Sequence, residues 1–168
     1  GNVQNLFQDI AEYGDAVLYW SGDPETTPWG WGGMQPGRIV RWLHDAGLKS
    51  IFISPDLNYT GAAHEGKWLP ILPNTDAALH CAIAYVWITE DTYDKDYVAT
   101  HSVGFDDFKD YILGVEDGVP KTPKWASPIT GITERQIKAL ARYWTKHSVS
   151  IAHCSGGGLI RAAYSSEP

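Results

Sequence analysis

The sequence predicts an α/β domain with a mainly parallel sheet and helices on both faces. Three observations carry this expectation. Continuous apolar runs at Ala16–Trp20 and residues 50–54 suit strands that are covered on both sides. Helical segments alternate with those runs, as in a parallel sheet built from crossover units. Strand ends lead into unusual loops, which right-handed crossovers would gather at one edge of the sheet. The class is a Rossmann-like three-layer fold, with residues 1–168 forming one domain.

Taken in order, Leu6–Tyr13 carries Leu6, Phe7 and Ile10 on one side and reads as a short helix. Gly14 and Asp15 end it, and the first strand follows. A loop rich in Trp, Gly and Pro leads to a helix over residues 35–46, around Ile39, Val40, Trp42 and Leu43. Gly47 stands just past its end, where a left-handed residue is favoured. After the second strand, residues 55–74 read as a long aromatic and polar loop, of the kind that is functional or packed against another domain. Residues 75–90 are apolar around most of the helical circumference, so this helix is expected to be buried nearly all round.

Residues 94–100 and Phe105–Leu113 read as short helices, and residues 114–131, with three prolines, as turns. Thr133 and Gln136 form a capping-box pattern before Ile137, Leu140, Ala141 and Trp144, which repeat at amphipathic helical spacing. Val149–His153 is a further strand, followed by the Gly-rich turn at residues 155–158.

Composition narrows the function. The chain is 43% hydrophobic and 20% charged, which argues against disorder. Its net charge of −7 disfavours a nucleic acid polymer as partner. No apolar run reaches the roughly 20 residues that span a bilayer, so no membrane is expected. No secretory signal is visible, and the expected location is cytoplasmic. The abrupt end at Tyr164-Ser165-Ser166-Glu167-Pro168 suggests a piece of something longer. Cys81 reads as a small core residue and Cys154 as a buried neighbour of a loop; two cysteines give no disulfide framework and no metal cluster. Of the six histidines, His153 at a strand end ranks first, but no metal-ligand spacing is present.

Candidate chemistry collects at the strand ends. Gly22 allows close backbone approach, and Asp23-Pro24 fixes a turn. Asp23 could accept from a ribose hydroxyl or a base, or simply shape the backbone as an Asx-turn. Ser54 stands at the end of the second strand and Asp56 two residues further on, where an acid commonly takes ribose hydroxyls. Asp76 opens the buried helix. It either offsets the helix dipole or accepts paired hydrogen bonds from the N1–H and N2 amino group of guanine, a pattern adenine lacks. The turn at residues 155–158 can present backbone amides to an anion. Neither G-x-G-x-x-G nor a Walker A sequence occurs, so an ordinary dinucleotide dehydrogenase is poorly supported.

Four segments together resemble one family. They are Trp20-Ser21-Gly22-Asp23-Pro24-Glu25-Thr26-Thr27-Pro28-Trp29-Gly30-Trp31, Pro73-Asn74-Thr75-Asp76-Ala77-Ala78-Leu79, Lys121-Thr122-Pro123-Lys124-Trp125-Ala126, and Gly156-Gly157-Gly158-Leu159-Ile160-Arg161. They resemble the molybdopterin oxidoreductases of the dimethyl sulfoxide reductase family. The Thr26-Thr27-Pro28-Trp29-Gly30-Trp31 extension points to its pyrogallol–phloroglucinol transhydroxylase branch.

The resemblance implies a central domain of a longer catalytic subunit that carries a bis(molybdopterin guanine dinucleotide) cofactor on Mo or W. The implied cofactor-binding residues are Gly22, Asp23, Pro24, Glu25, Ser54, Asp56, Asp76, Gly156 and Gly157. Arg161 and Tyr164 match a segment near the metal pocket. The protein ligand to the metal lies outside this chain, so the fragment alone is expected to be inactive. The implied substrates are small trihydroxybenzenes, between which hydroxyl is transferred. The implied partners are the remaining domains of the same subunit and an iron–sulfur small subunit. Two other readings are a molybdopterin oxidoreductase with a non-phenolic substrate, and a noncatalytic binding or assembly domain with Trp29, Trp31 and Trp68 as interface anchors.

Overall fold

The computed structural model describes residues 6–27 and 36–153. Its elements run α1 (Leu6–Tyr13), β1 (Ala16–Trp20), α2 (Pro36–Asp45), β2 (Lys49–Ser54), α3 (Tyr59–Ala63), β3 (Lys67–Pro70), α4 (Asp76–Thr89), α5 (Lys95–His101), α6 (Phe105–Leu113), α7 (Pro123–Thr130), α8 (Glu134–Trp144) and β4 (Val149–His153). The four strands form one parallel sheet in the order β3-β2-β1-β4.

Helices cover both faces of the sheet, which gives the expected three layers. Side chains alternate between the faces along each strand. Leu18, Trp20, Ile53 and Leu69 pack against Leu79, Ala82, Ile83 and Val86 of α4, Ala126 of α7, and Ile137, Leu140 and Ala141 of α8. Val17, Tyr19 and Phe52 face the other way, onto Val40 and Leu43 of α2 and Ile10 and Ala11 of α1. Full burial of each large side chain contributes roughly 1.5–3 kcal/mol. All five residues of β1 are buried, as its unbroken apolar run requires.

Local signals explain several boundaries. The capping box of α8 forms as expected: Thr133 Oγ1 accepts from Gln136 N at 3.3 Å, and Gln136 Oε1 accepts from Thr133 N at 3.1 Å. Gly47 adopts φ +99° after α2. Of the residues in α4, His80 and Thr89 alone are exposed; Cys81 is half-buried, and burial pushes its thiol up, away from the reactive thiolate.

Two regions differ from the sequence reading. Residues 55–74 hold a helix and a strand rather than one long loop. β3 is a four-residue edge strand containing Lys67 and Pro70, residue types that protect sheet edges but weaken a strand signal. Residues 114–131 hold α7. Its first proline, Pro123, stands at N1, where the missing N–H is no loss, and the Thr122 side chain caps it by accepting from Trp125 N at 3.0 Å.

Candidate functional site at the carboxyl ends of the strands

In this strand order the chain reverses direction across the sheet between β1 and β4, and open α/β sheets bind ligands outside the carboxyl ends of strands at such a point. A cleft of about 320 Å³ opens on the β2 side of that point, over the carboxyl ends of β1, β2 and β3. Ser21 and Asp23 line it from the end of β1, and Ser54, Pro55, Asp56 and Asn58 from the end of β2. Ile71 to Asp76, the connection from β3 into α4, closes it. Three carboxylates and no Lys or Arg stand among the described lining residues. The described lining is therefore suited to a ligand surface rich in N–H and O–H donors.

Asp76 is 5% exposed, at the first turn of α4. Its Oδ1 accepts a hydrogen bond from Trp20 Nε1 at 2.7 Å, across 56 positions of sequence. The Trp20 ring stacks on His80, one helical turn further along α4, with centroids 4.1 Å apart. Asp76 is thus tied to the end of β1 while it lines the cleft.

Asp23 is also held on both oxygens. Oδ1 accepts from Thr60 N at 3.1 Å and Thr60 Oγ1 at 2.6 Å, and Oδ2 accepts from Thr26 Oγ1 at 2.5 Å. Burial alone would raise this carboxyl, but the hydrogen bonds from Thr26 and Thr60 outweigh it and hold the group below the usual carboxylate range. Thr60, fully buried, also accepts from Glu25 N at 3.1 Å. The Asn58 side chain caps α3 through Gly61 N and donates to Gly22 O at 3.2 Å. The short helix α3 is in effect a clasp on the loop after β1.

The remaining predicted residues fall into three groups. Ser54, 4% exposed, donates to Asp56 O at 2.6 Å and so shapes the loop that carries the Asp56 carboxylate. Gly22, Pro24 and Glu25 stand beside the cleft without lining it; Glu25 Oε1 is paired with His64 Nε2 at 2.7 Å. Gly156, Gly157, Arg161 and Tyr164 lie outside the described residues, as do Trp29, Trp31 and Cys154. Trp68 is half-buried against the α1–α2 side of the sheet and donates to Ser54 O at 3.1 Å, so its indole is engaged within the domain. Lys121, from the third motif, is buried between Asp117 and the Tyr111 ring and does not line the cleft.

Sequence reasoning missed Thr60, Asn58 and the Trp20 bond. Asn58 with Gly61 three residues on was a readable cap signal; the Trp20–Asp76 contact left no local trace. Two cleft residues adopt left-handed backbone, Ser21 at φ 54° and Asn74 at φ 64°. Asn tolerates that region and Ser much less, and such strain gathers at functional sites. A larger apolar groove of about 600 Å³ lies at the amino ends of β2 and β3, lined by Leu48, Ile51, Leu69 and Leu140, and holds none of the predicted site residues. No three His, Cys, Asp or Glu side chains meet as a metal site among the described residues, and no described helix is long and apolar enough to cross a membrane.

No family model matches the chain. It is 40% identical over 154 residues to the pyrogallol hydroxytransferase large subunit of Pelobacter acidigallici, which covers 92% of this chain and 18% of that protein. It is 34% identical to the dimethyl sulfoxide/trimethylamine N-oxide reductase of Rhodobacter capsulatus, over 89% of this chain and 18% of that one. It is 45% identical to a dimethyl sulfoxide reductase of Haemophilus influenzae, over 82% of this chain and 18% of that one. Among solved structures, acetylene hydratase from Pelobacter acetylenicus matches in fold with a TM-score of 0.66, at 23% identity, over 84% of this chain and 18% of that chain. The chain thus spans less than a fifth of the length of these relatives.

Proposed function

We propose that this chain, related to one segment of a pyrogallol hydroxytransferase large subunit and of dimethyl sulfoxide reductases, cradles the guanosine end of one arm of a bis(molybdopterin guanine dinucleotide) cofactor. The observation that carries this is the chemistry of the cleft: three carboxylates, and no Lys or Arg among the described lining residues, at the carboxyl ends of a parallel sheet. Guanine offers N1–H and N2–H₂ as parallel donors, and Asp76 offers the matching pair of acceptor oxygens. The exposed Asp56 carboxylate takes the ribose hydroxyls. Asp23, with both oxygens already engaged, holds the loop in place rather than binding through its own side chain. At about 320 Å³ the cleft is at the lower end of ligand pockets, with room for one nucleoside and not a whole dinucleotide.

When bound, the cofactor would supply oxygen-transfer or redox chemistry at its Mo or W, held by residues beyond this chain. In a transhydroxylase-like enzyme the outcome is hydroxyl transfer between trihydroxybenzenes, with an iron–sulfur small subunit as partner. The 45% identity to a dimethyl sulfoxide reductase favours a second reading of the same domain, in an enzyme whose substrate is not a phenol. Both readings share the guanosine cradle. The test is to purify the longer subunit containing this chain, denature it in acid, and analyse the supernatant. Release of guanine nucleotide together with Mo or W is expected; adenine nucleotide or none would overturn the cradle.

A further inference from the structure

We propose that Trp20 is the positioning residue of the cleft: its indole N–H fixes the Asp76 carboxylate in the orientation that distinguishes guanine from other purines. The inference rests on the guanosine reading above and adds to it the group that sets the specificity.

A buried indole N–H needs an acceptor, and a backbone carbonyl commonly suffices. Trp20 is 1% exposed and gives its single donor to a carboxylate that lines a cleft. The ring cannot swing away, because β1 fixes its backbone and His80 stacks on it at 4.1 Å with an interplanar angle of 11°. With Oδ1 held at 2.7 Å, rotation of the carboxylate about its last torsion is stopped. That torsion is otherwise broad and two-fold. A fixed carboxylate can meet two parallel donors at once; a freely turning one meets a single donor nearly as well as two. Each oxygen has more than one lone-pair site, so the bond from Trp20 leaves acceptor capacity for the base. The same indole links α4 to β1, so the carboxylate is referenced to the sheet and not only to its own helix.

The test compares GDP, IDP and ADP by calorimetry on the full 168-residue chain. IDP lacks the N2 amino group, and ADP lacks both donors. Trp20→Phe keeps an aromatic ring against His80 and removes the N–H. It is expected to weaken GDP about tenfold and to narrow the preference for GDP over IDP, with ADP unchanged. In an Asp76→Ala background the same change is expected to have no further effect on GDP, because Trp20 acts through Asp76. Wild-type GDP affinity and GDP/IDP preference in folded Trp20→Phe, with GDP binding lost in Asp76→Ala, would overturn the positioning role and leave the base reading intact. Unchanged GDP binding in Asp76→Ala would instead remove the base reading. Should Trp20→Phe not fold, the wild-type protein decides: the Trp20 indole N–H resonance is expected to shift on adding GDP more than on adding ADP, and equal or absent shifts overturn the proposal.

Discussion

Asp23→Ala is expected to lower the stability of the domain by about 2–4 kcal/mol and to abolish ligand binding in the cleft. The change removes the acceptor for Thr60 N and Thr60 Oγ1. Thr60 is fully buried, so both donors lose a partner in a place water does not reach. It also frees Thr26, and with it the turn that Thr27 N closes onto Asp23 O at 2.9 Å. The loop after β1 would then detach from α3 and leave one wall of the cleft undefined. Asp23→Asn keeps an acceptor oxygen for Thr60 and is expected to restore most of the stability. Chemical denaturation of the three proteins measures this; equal midpoints for Asp23→Ala and wild type would show that the clasp does not hold the loop.

The same carboxylate sets a pH dependence. Its folded value lies below the ordinary one because Thr26 and Thr60 hydrogen bonds outweigh its partial burial. Its stabilisation is therefore fully present above the unfolded value of about 3.9 and is lost as pH falls through the lower folded value. Asp23→Asn cannot titrate, so the stability difference between it and wild type should shrink as pH drops below about 4.

Asp76→Asn carries the second large effect, and on binding more than on stability. The amide oxygen can still accept from Trp20 Nε1, so the link between α4 and β1 persists. The amide nitrogen, however, turns two donors toward the donors of guanine. Loss of a charge-assisted pair is worth about 1.5–3 kcal/mol, or roughly 10- to 150-fold in GDP affinity. Asp76→Ala should lose binding to a similar degree and in addition destabilise the fold, since it leaves the buried Trp20 N–H without an acceptor. Melting curves recorded beside each titration separate the two contributions. A variant that binds GDP as well as wild type would remove Asp76 from the site.

Periodicity and caps made much of this architecture legible. The apolar run at β1, the box at Thr133 and the glycine after α2 each act through neighbouring residues, so each can be read without the fold. Prolines were misleading where their position within an element mattered. Pro123 reads as a breaker, yet Thr122 before it supplies a cap, and a proline at N1 starts a helix. Lys67 and Pro70 hid β3 because edge strands are built from residues that resist further pairing.

In the cleft, the acids Asp23, Ser54's neighbour Asp56, and Asp76 could be named from their places after strands and before a helix. Their division of labour could not. That Asp23 is locked by Thr60, and that Asp76 is aimed by Trp20, depend on contacts across 37 and 56 positions, which no local pattern records. The Gly-rich turn at residues 155–158 and the Trp-rich run at residues 28–33 are read from sequence alone, since both lie outside the described residues.

The guanosine cradle is tested most directly by titrating the 168-residue chain with GDP and with ADP under identical conditions. GDP is expected to bind at one site with at least about tenfold preference over ADP, the discrimination of one charge-assisted hydrogen-bond pair. Equal affinity for the two nucleotides, or tighter binding of ADP, would contradict it.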